Sequence, residues 1–275
     1  VEKELGITKE DIGQSISIVD YNLKCRETVM RYKDMWDDIT MKMGYWVDLE
    51  HPYITFESEY MESVWYLLKM LYDKKLLYKG YSIQPFSPAA GTGLSSHELN
   101  QPGTYRLVKD TSAVAQFKLK ENEASEFLFK NGSDHGSVFA LAWTTTPWTL
   151  IGNVALAVGE EIIYVKVKQA DNYYILAKER LAEVFKDQTP EIIAEFKGQE
   201  LVGKSYVPLF PYFANQEDLE NKANGWKIYA ADFVTIEEGS GVVHIAPAFG
   251  EDDMNLGKEK KLPFIQHVGL DGHFI

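Results

Sequence analysis

Cysteine is almost absent from this chain. Cys25 is the one cysteine among 275 residues, so an intramolecular disulfide and a cysteine-rich zinc site are both excluded. The run Ser87–Gly91 resembles a metal knuckle that lacks its cysteines, so it should bind no zinc. Such sparing use of cysteine suits a reducing compartment. We expect no metal site.

Positive charge and long apolar runs are also scarce. The chain has 28 Lys and Arg against 41 Asp and Glu, a formal net charge of −13. This excludes a non-specific nucleic-acid binder that acts through bulk charge, although a local basic patch stays open. No apolar run reaches the ~18 residues of a membrane span, and no signal peptide opens the chain. We predict a soluble, cytoplasmic protein with no membrane partner.

Several common catalytic signatures are missing. The chain contains no GxxxxGK[ST] phosphate loop, no HExxH zinc helix and no GxSxG nucleophile elbow. Gly132–His135 holds Ser, Asp and His in a row, but neighbouring residues cannot reach triad geometry, so we predict a turn there. Asp271-Gly272 is likewise a turn signal.

The composition is that of a globular protein whose first part is helical. Hydrophobic residues make up 45% of the chain and charged residues 25%, and the length suits about two domains. Thr8 and Asp11 are spaced as a capping box. Apolar residues follow at helical spacing in three stripes: Ile12, Ile16, Val19 and Leu23; Val29, Tyr32, Met35, Trp36 and Ile39; Met61, Val64, Trp65, Leu68 and Leu71. Packing in a core is the simplest interpretation of these stripes.

From residue 81 onwards the pattern changes to short strands. Pro and Gly mark a looped connector, after which β-branched and alternating runs recur. The predicted strands lie near 113–119, 138–143, 154–158, 162–167, 173–176, 192–196, 227–230 and 241–246, with a short helix at 178–186. Because no regular βαβ alternation appears, we predict an α+β protein that is mainly a curved sheet or barrel behind an N-terminal helical arm.

One candidate site segment is Trp143–Leu150, which reads WTTTPWTL. Three threonines in a row are compatible with an ordinary strand. Pro147, however, cuts the strand and leaves hydroxyls and unpaired amides at a junction between strand and loop. Such a junction can bind a carbonyl, a phosphate or a water.

The other candidate segment is Gly239–Asp253, which reads GSGVVHIAPAFGEDD. A lone His in an apolar strand is usually a hydrogen-bonded core residue, and acidic residues at a helix start often only complement the helix dipole. Together the two segments nevertheless predict a small pocket with a carboxylate at one end, which suits a cationic amine.

These two segments closely resemble the editing insertion, connective peptide 1, of the isoleucyl-tRNA synthetases. The resemblance runs over essentially the whole chain, with supporting matches at Gly44–Asp48, Tyr60–Trp65, Leu77–Gly80 and Gly91–Glu98. The valine and leucine enzymes of this type place an Arg after the threonines, whereas here Thr146 precedes Pro147. Relatives usually have Pro-Ser where this chain has Ile151-Gly152, so we expect the loop behind the threonines to differ in stiffness from theirs.

The resemblance implies a proofreading hydrolase. The HIGH-type and KMSKS-type signatures for ATP are missing, so this chain should not activate amino acids; ATP and Mg would belong to the synthetic domain of the parent enzyme. Isoleucine enzymes also charge valine, because a pocket rejects one missing methylene only weakly, and a second, smaller pocket hydrolyses the wrong product. The implied activity is hydrolysis of the aminoacyl ester of valyl-tRNA(Ile), with no metal or cofactor.

The resemblance also implies residue roles. Asp253 would bind the α-ammonium group of valine, and His244 would act as a steric gate against isoleucine. The catalytic set would be Thr144, Thr145, Thr146 and Asp253. The substrate-binding set would be Trp148, Thr149, His244, Ala246 and Asp253, with Trp148 as a wall. No general base is evident, so positioned hydroxyls and the ribose hydroxyl of the substrate would activate water.

The expected organisation is that of a piece of a longer protein, since the chain starts at Val1 and stops in a strand-like run. The predicted parts are a helical part at 1–80, a connector and first strand at 81–135, an editing core at 136–260 and a return strand at 261–275. Partners would be tRNA(Ile) carrying valine and the remaining parent domains, and the fragment would be a monomer. Three alternatives stay open: a non-catalytic module that docks the tRNA acceptor end, the editing domain of a valine- or leucine-type synthetase, and a free-standing editing factor.

Overall fold

The fold is described from a computed structural model that covers residues 1–122, 125–129, 136–186 and 188–275. The turn predicted at 132–135 lies outside these ranges. The chain divides into two compact units, 1–80 and 81–275. The finer division of residues 81–275 that the sequence predicts stays a prediction.

The first unit is helical. Its helices are α1 (Glu2–Leu5), α2 (Ile18–Met30), α3 (Lys33–Lys42) and α4 (Ser58–Asp73), with a 3₁₀ turn at Lys9–Asp11. The Asp11 carboxylate accepts hydrogen bonds from the backbone and hydroxyl of Thr8, as the capping-box spacing predicts. The first apolar stripe is wrong as a single helix, because Gly13 has a φ of 82° and α2 begins only after Ser17.

The apolar stripes of this unit are not buried, contrary to the simplest interpretation of the pattern. Trp65 of α4 is 67% exposed, and no residue of α2, α3 or α4 is buried. Amphipathic spacing predicts a helix and its apolar face, but it does not identify what covers that face.

The second unit is built mainly from two sheets. The five-stranded sheet contains β3 (Ala113–Lys118), β4 (Val138–Thr144), β6 (Ile163–Gln169), β7 (Asn172–Ala177) and β8 (Glu191–Lys197) in the order β3-β4-β7-β6-β8. The β4–β7 pair is parallel and the other pairs are antiparallel. The three-stranded sheet contains β5 (Ala155–Val158), β9 (Lys227–Ala230) and β10 (Val242–Ile245) in the order β10-β5-β9.

Both sheets enclose one core. Phe117 of β3, Leu156 of β5 and Ile175 of β7 belong to the same buried cluster. The strand β5 is buried at every position, as its uninterrupted apolar sequence requires. In the described residues, strands β3 to β10 form two sheets around a shared core rather than one closed barrel. The predicted α+β class is confirmed.

Short elements complete the second unit. A small hairpin joins β1 (Phe86–Ser87) to β2 (Thr92–Gly93), and the remaining helices are α5 (Ser96–Leu99), α6 (Glu126–Phe129), α7 (Leu181–Phe185) and α8 (Glu251–Lys260). The segment 261–275, predicted as a return strand, has no assigned strand and one isolated bridge, Val268 to Phe274, on either side of the predicted turn at Gly272. No helix within the described ranges is long and apolar enough to cross a bilayer.

Candidate active site

A cavity of about 360 Å³ lies where β4 of one sheet ends beside β10 of the other. The two strands are held together at Ser240, whose hydroxyl donates to the Leu141 carbonyl at 2.5 Å. The Ser240 carbonyl in turn accepts from the backbone N–H of Ala177 at 2.8 Å. The cavity therefore sits where hydrogen bonds of Ser240 join the two sheets.

The threonine segment forms the first wall. β4 ends at Thr144, and Pro147 starts a 3₁₀ helix, Pro147–Gly152, because proline at a first helical position sacrifices no internal hydrogen bond. The Thr144 hydroxyl accepts from the backbone N–H of Thr146 at 3.0 Å. The Oγ1 atom of Thr146 lies 3.3 Å from that of Thr144 and 3.4 Å from that of Thr149. The break in the strand thus gathers three hydroxyls into a chain.

His244 of β10 extends this chain of polar groups. Its Nε2 atom lies 3.0 Å from the Oγ1 atom of Thr149. The single hydroxyl hydrogen of Thr149 goes to the Thr146 carbonyl at 2.8 Å, so Nε2 carries the hydrogen and donates to Thr149. Burial lowers the pKa of His244 to about 4. At neutral pH the side chain is therefore an uncharged ring with a fixed orientation.

Asp253 supplies the carboxylate of the site. It lies in the first turn of α8, and its Oδ2 atom accepts the backbone N–H of Ala246 at 2.8 Å. Burial raises the pKa of Asp253 to about 6, against the lowering effect of the Ala246 hydrogen bond; nearby Asp252 raises it further. At pH 7 the carboxylate is still ionised by about ten to one. A partly desolvated carboxylate of this kind attracts a cationic ligand more strongly than an exposed carboxylate does.

The structure brings most of the predicted residues together. The residues that line the cavity include Thr144, Thr145, Thr146, Thr149, His244, Ala246 and Asp253. Trp148 is not among them. Its ring packs edge-on against Phe249 at 5.2 Å, and it lines a neighbouring cavity of about 720 Å³ instead. Phe249 lines both cavities, so Trp148 packs against a residue of the first cavity's wall without lining that cavity itself.

Sequence reasoning missed one wall of the cavity. Phe233, Thr235 and Glu238 line it from the loop that connects β9 to β10. Buried Arg180 holds this loop by donating to the carbonyls of Gly239 at 2.9 Å and Glu237 at 3.1 Å. No local spacing joins residue 180 to this loop, so no sequence pattern signals their contact.

The charges around the cavity favour a cation. Asp253 and Glu238 are acidic, and the described lining contains no Lys or Arg. A positively charged amine would therefore be attracted, whereas a bare anion would be repelled. No group of three or more His, Cys, Asp or Glu side chains suited to a metal ion occurs in the part of the chain that the structure describes.

The family follows from comparison with known proteins. A family model for class I tRNA synthetases (I, L, M and V) matches residues 1–210. The chain therefore belongs to the class I tRNA synthetases. It is 53% identical to the isoleucine–tRNA ligase of Cytophaga hutchinsonii over 96% of its length, and 47% identical to that of Bacteroides thetaiotaomicron over 99%. The predicted resemblance to isoleucyl-tRNA synthetases is confirmed. The chain spans about a quarter of these relatives, 24% and 25% of their lengths.

Solved structures give more distant matches. The crystal structure of GlLeuRS-CP1 matches with a TM-score of 0.46 and 19% sequence identity, over 54% of this chain and 60% of the GlLeuRS-CP1 chain. The editing domain of the cytosolic leucyl-tRNA synthetase of P. falciparum gives 13% identity and a TM-score of 0.40, over 55% of this chain and 66% of that one.

Proposed function

We propose that this chain is a post-transfer editing module that hydrolyses the aminoacyl ester of valyl-tRNA(Ile). The observation that carries the proposal is the Asp253 carboxylate, which is fixed by the Ala246 N–H in a cavity walled by threonine hydroxyls. An aminoacyl ester presents an α-ammonium group beside the bond to be cut. One ionised carboxylate in this position would hold that ammonium and so orient the ester.

The selectivity would come from His244. Its ring is only 8% exposed and is fixed by Thr149, so it cannot swing away at little cost. Because the ring is neutral, it would exclude a larger side chain by volume without attracting charge. One methylene distinguishes isoleucine from valine. A pocket that binds this methylene gains only about 1–3 kcal/mol from it. A rigid wall would instead exclude the methylene by steric clash.

Hydrolysis would use the threonine hydroxyls to position water. The water oxygen attacks the ester carbonyl carbon, the bond from that carbon to the ribose oxygen breaks, and the departing oxygen takes up the proton that the water loses. With the hydroxyl hydrogens assigned as above, Thr144 and Thr146 each keep one oxygen lone pair that would accept a hydrogen from the water. Such orientation supplies much of the rate when no strong base is present. The ribose hydroxyl adjacent to the ester would relay the proton.

The parent protein would supply the rest of the substrate contacts. With a net charge of −13, this chain has little attraction for the tRNA backbone, so we assign most phosphate contacts to the remaining domains. The cavity itself would take only valine and the terminal ribose. We assign the module to the cytoplasm, as a monomer that needs no metal or cofactor.

The matched pair Asp253→Asn and Asp252→Asn tests this proposal. Both variants lose one carboxylate from the first turn of α8, but only Asp253 contacts Ala246 and lines the cavity. We expect Asp253→Asn to slow ester loss from valyl-tRNA(Ile) by at least about tenfold, the effect of one hydrogen bond to a charged group. Asp252→Asn should stay within about threefold of wild type. Equal rates in the two folded variants would contradict the proposed ammonium contact, and binding without ester loss in wild type would favour a docking module.

A further inference from the structure

A second buried histidine lies behind the threonine wall. His267 is 1% exposed, and its Nε2 atom lies 3.0 Å from the carbonyl oxygen of Trp148. A carbonyl only accepts, so Nε2 carries the hydrogen and donates it. The other ring nitrogen, Nδ1, is buried and has no hydrogen-bond partner among the residues that the structure describes. The ring therefore makes one directed polar contact, and that contact is with the 3₁₀ helix Pro147–Gly152.

The ring of His267 occupies the space that a side chain at position 152 would need. A Cβ atom on Gly152 would lie 2.8 Å from both Nδ1 and Cε1 of His267, which is too close for any real contact. The backbone of Gly152 is not in the left-handed region, so glycine is required here by space and not by conformation. This accounts for the glycine at position 152 of the threonine loop.

His267 also contacts the opposite wall of the cavity. Its ring lies 4.8 Å from that of Phe249, with the planes at 73°. Phe249 lines the cavity together with Thr149, and Thr149 belongs to the 3₁₀ helix that His267 holds through Trp148. The His267 ring therefore contacts both the 3₁₀ helix and Phe249, two parts of the cavity wall that are distant in sequence.

We propose that His267 is a positioning residue of the active site, matched to Gly152, which orients Thr149 through the Trp148 carbonyl. Only the expected effect of His267 on the rate of ester hydrolysis rests on the proposed function. Loss of the Nε2 donor removes the hydrogen bond that joins the His267 ring to the Trp148 carbonyl, so the 3₁₀ helix shifts and Thr149 changes its contact with His244. No step of the hydrolysis passes through His267 itself.

The first test compares His267→Gln with His267→Phe, using the full chain and valyl-tRNA(Ile). Gln can place an N–H near the position of Nε2, whereas Phe keeps the ring and loses the donor. We expect His267→Phe to lower kcat by about 10- to 100-fold with KM within about twofold, the effect of a misplaced catalytic group. His267→Gln should restore kcat to within about threefold of wild type. His273→Phe, at an exposed position, is the control. Equal kcat for the Gln and Phe variants would overturn the proposal.

The second test needs no activity. The imidazole ¹⁵N signals of His244 report its bond to Thr149, because nitrogen shifts follow protonation and hydrogen bonding. We expect His267→Phe to move these signals and His267→Gln to leave them near their wild-type positions; unmoved signals in both variants would overturn the positioning role. If wild type shows no ester hydrolysis but the His244 signals respond as expected, the proposed function fails and the positioning role stands.

Gly152→Ala supplies an independent variant in case the His267 variants fold poorly. In wild type the added methyl group meets the ring, so we expect a shift of the His244 signals and a drop in kcat of about tenfold or more. In a His267→Ala background the same methyl group has room, so it should change neither quantity further. Equal effects of Gly152→Ala in both backgrounds would contradict the matched pair.

Discussion

The Oδ2 atom of Asp253 accepts the backbone N–H of Ala246 at 2.8 Å, which ties the first turn of α8 back to the end of β10. This contact uses one carboxylate oxygen and fixes the side chain at the wall of the cavity. The fixed carboxylate is the reason that a helix start, ordinarily only a place for acidic residues, serves here as a candidate ligand site.

The pH dependence of substrate binding should follow Asp253. Its pKa is raised to about 6, so the carboxylate is protonated as the pH falls through that value and loses its attraction for an ammonium group. We expect KM for valyl-tRNA(Ile) to rise about tenfold between pH 7 and pH 5, the consequence of titrating one group. Steady-state kinetics over this range check the expectation. A KM that is flat down to pH 5 in wild type would contradict it, and Asp253→Asn should show no such rise.

Asp253 and His244 should change the free energy of unfolding in opposite directions as the pH rises. Between pH 4 and 6 the folded state holds a proton on Asp253 that the unfolded state has lost, so this group lowers the free energy of unfolding as pH rises. For His244, whose pKa is lowered from 6.5 to about 4, the unfolded state binds the extra proton. That group raises the free energy of unfolding over nearly the same interval.

Single variants should therefore separate the two slopes. As the pH rises from 4 to 6, we expect the free energy of unfolding of Asp253→Asn to increase by about 2 kcal/mol relative to that of wild type. Over the same interval that of His244→Gln should decrease by about 2 kcal/mol relative to wild type. Native-state hydrogen exchange of the β5 amides measures this quantity in the second unit. Parallel pH profiles for the two variants would show that the burial of these groups does not control their titration.

Removal of the His244 ring should enlarge the cavity and admit isoleucine. We expect His244→Ala to hydrolyse isoleucyl-tRNA(Ile) at a rate within about tenfold of valyl-tRNA(Ile), since the steric exclusion is gone. His97→Ala, in the exposed helix α5, is the matched control. A folded His244→Ala variant that still spares isoleucyl-tRNA would show that the gate lies elsewhere.

The loop that Arg180 holds should matter for binding. Arg180→Met removes donors to the Gly239 and Glu237 carbonyls, so the loop with Glu238 is released from the cavity wall. We expect the free energy of unfolding to fall by about 2–3 kcal/mol, because the hydrogen bonds that a buried charged donor makes to these carbonyls are lost. KM should rise at the same time. Lys178→Met, on the same turn with a surface ion pair to Glu195, should change both quantities little.

Trp148 should contribute less to selectivity than the family resemblance implies. Its ring lies on the far side of Phe249 from the cavity. We therefore expect Trp148→Phe to keep the ratio of valyl to isoleucyl hydrolysis within about threefold of wild type, because the cavity wall itself is unchanged. A large change of that ratio would restore Trp148 to the role of a wall.

The sequence anticipated the strands and the two site segments because both are local patterns. β-Branched runs predict strands directly, and the structure has β3 to β10 close to the predicted positions. The threonines before Pro147 and the His-to-Asp segment likewise end up facing one cavity. In these elements, short-range preferences and the global fold agree.

The features that escaped prediction depend on contacts between distant residues. The loop with Glu238 has no distinctive composition, and its anchor Arg180 lies in another element. The sequence signals only that the loop at Ile151-Gly152 differs from that of relatives, whereas in the structure the ring of His267 occupies the space that a side chain at Gly152 would need. Within the first unit, Gly13 interrupts a stripe whose spacing alone looks continuous. Packing decides each of these cases, and local pattern does not encode it.

The measurement that tests the central claim most directly is ester loss from valyl-tRNA(Ile) and, separately, isoleucyl-tRNA(Ile), with the intact 275-residue chain at saturating concentration. We expect valine to be released selectively, with isoleucyl-tRNA spared to the extent that His244 excludes the extra methylene. No release of valine, or equal release of both amino acids, would contradict the account.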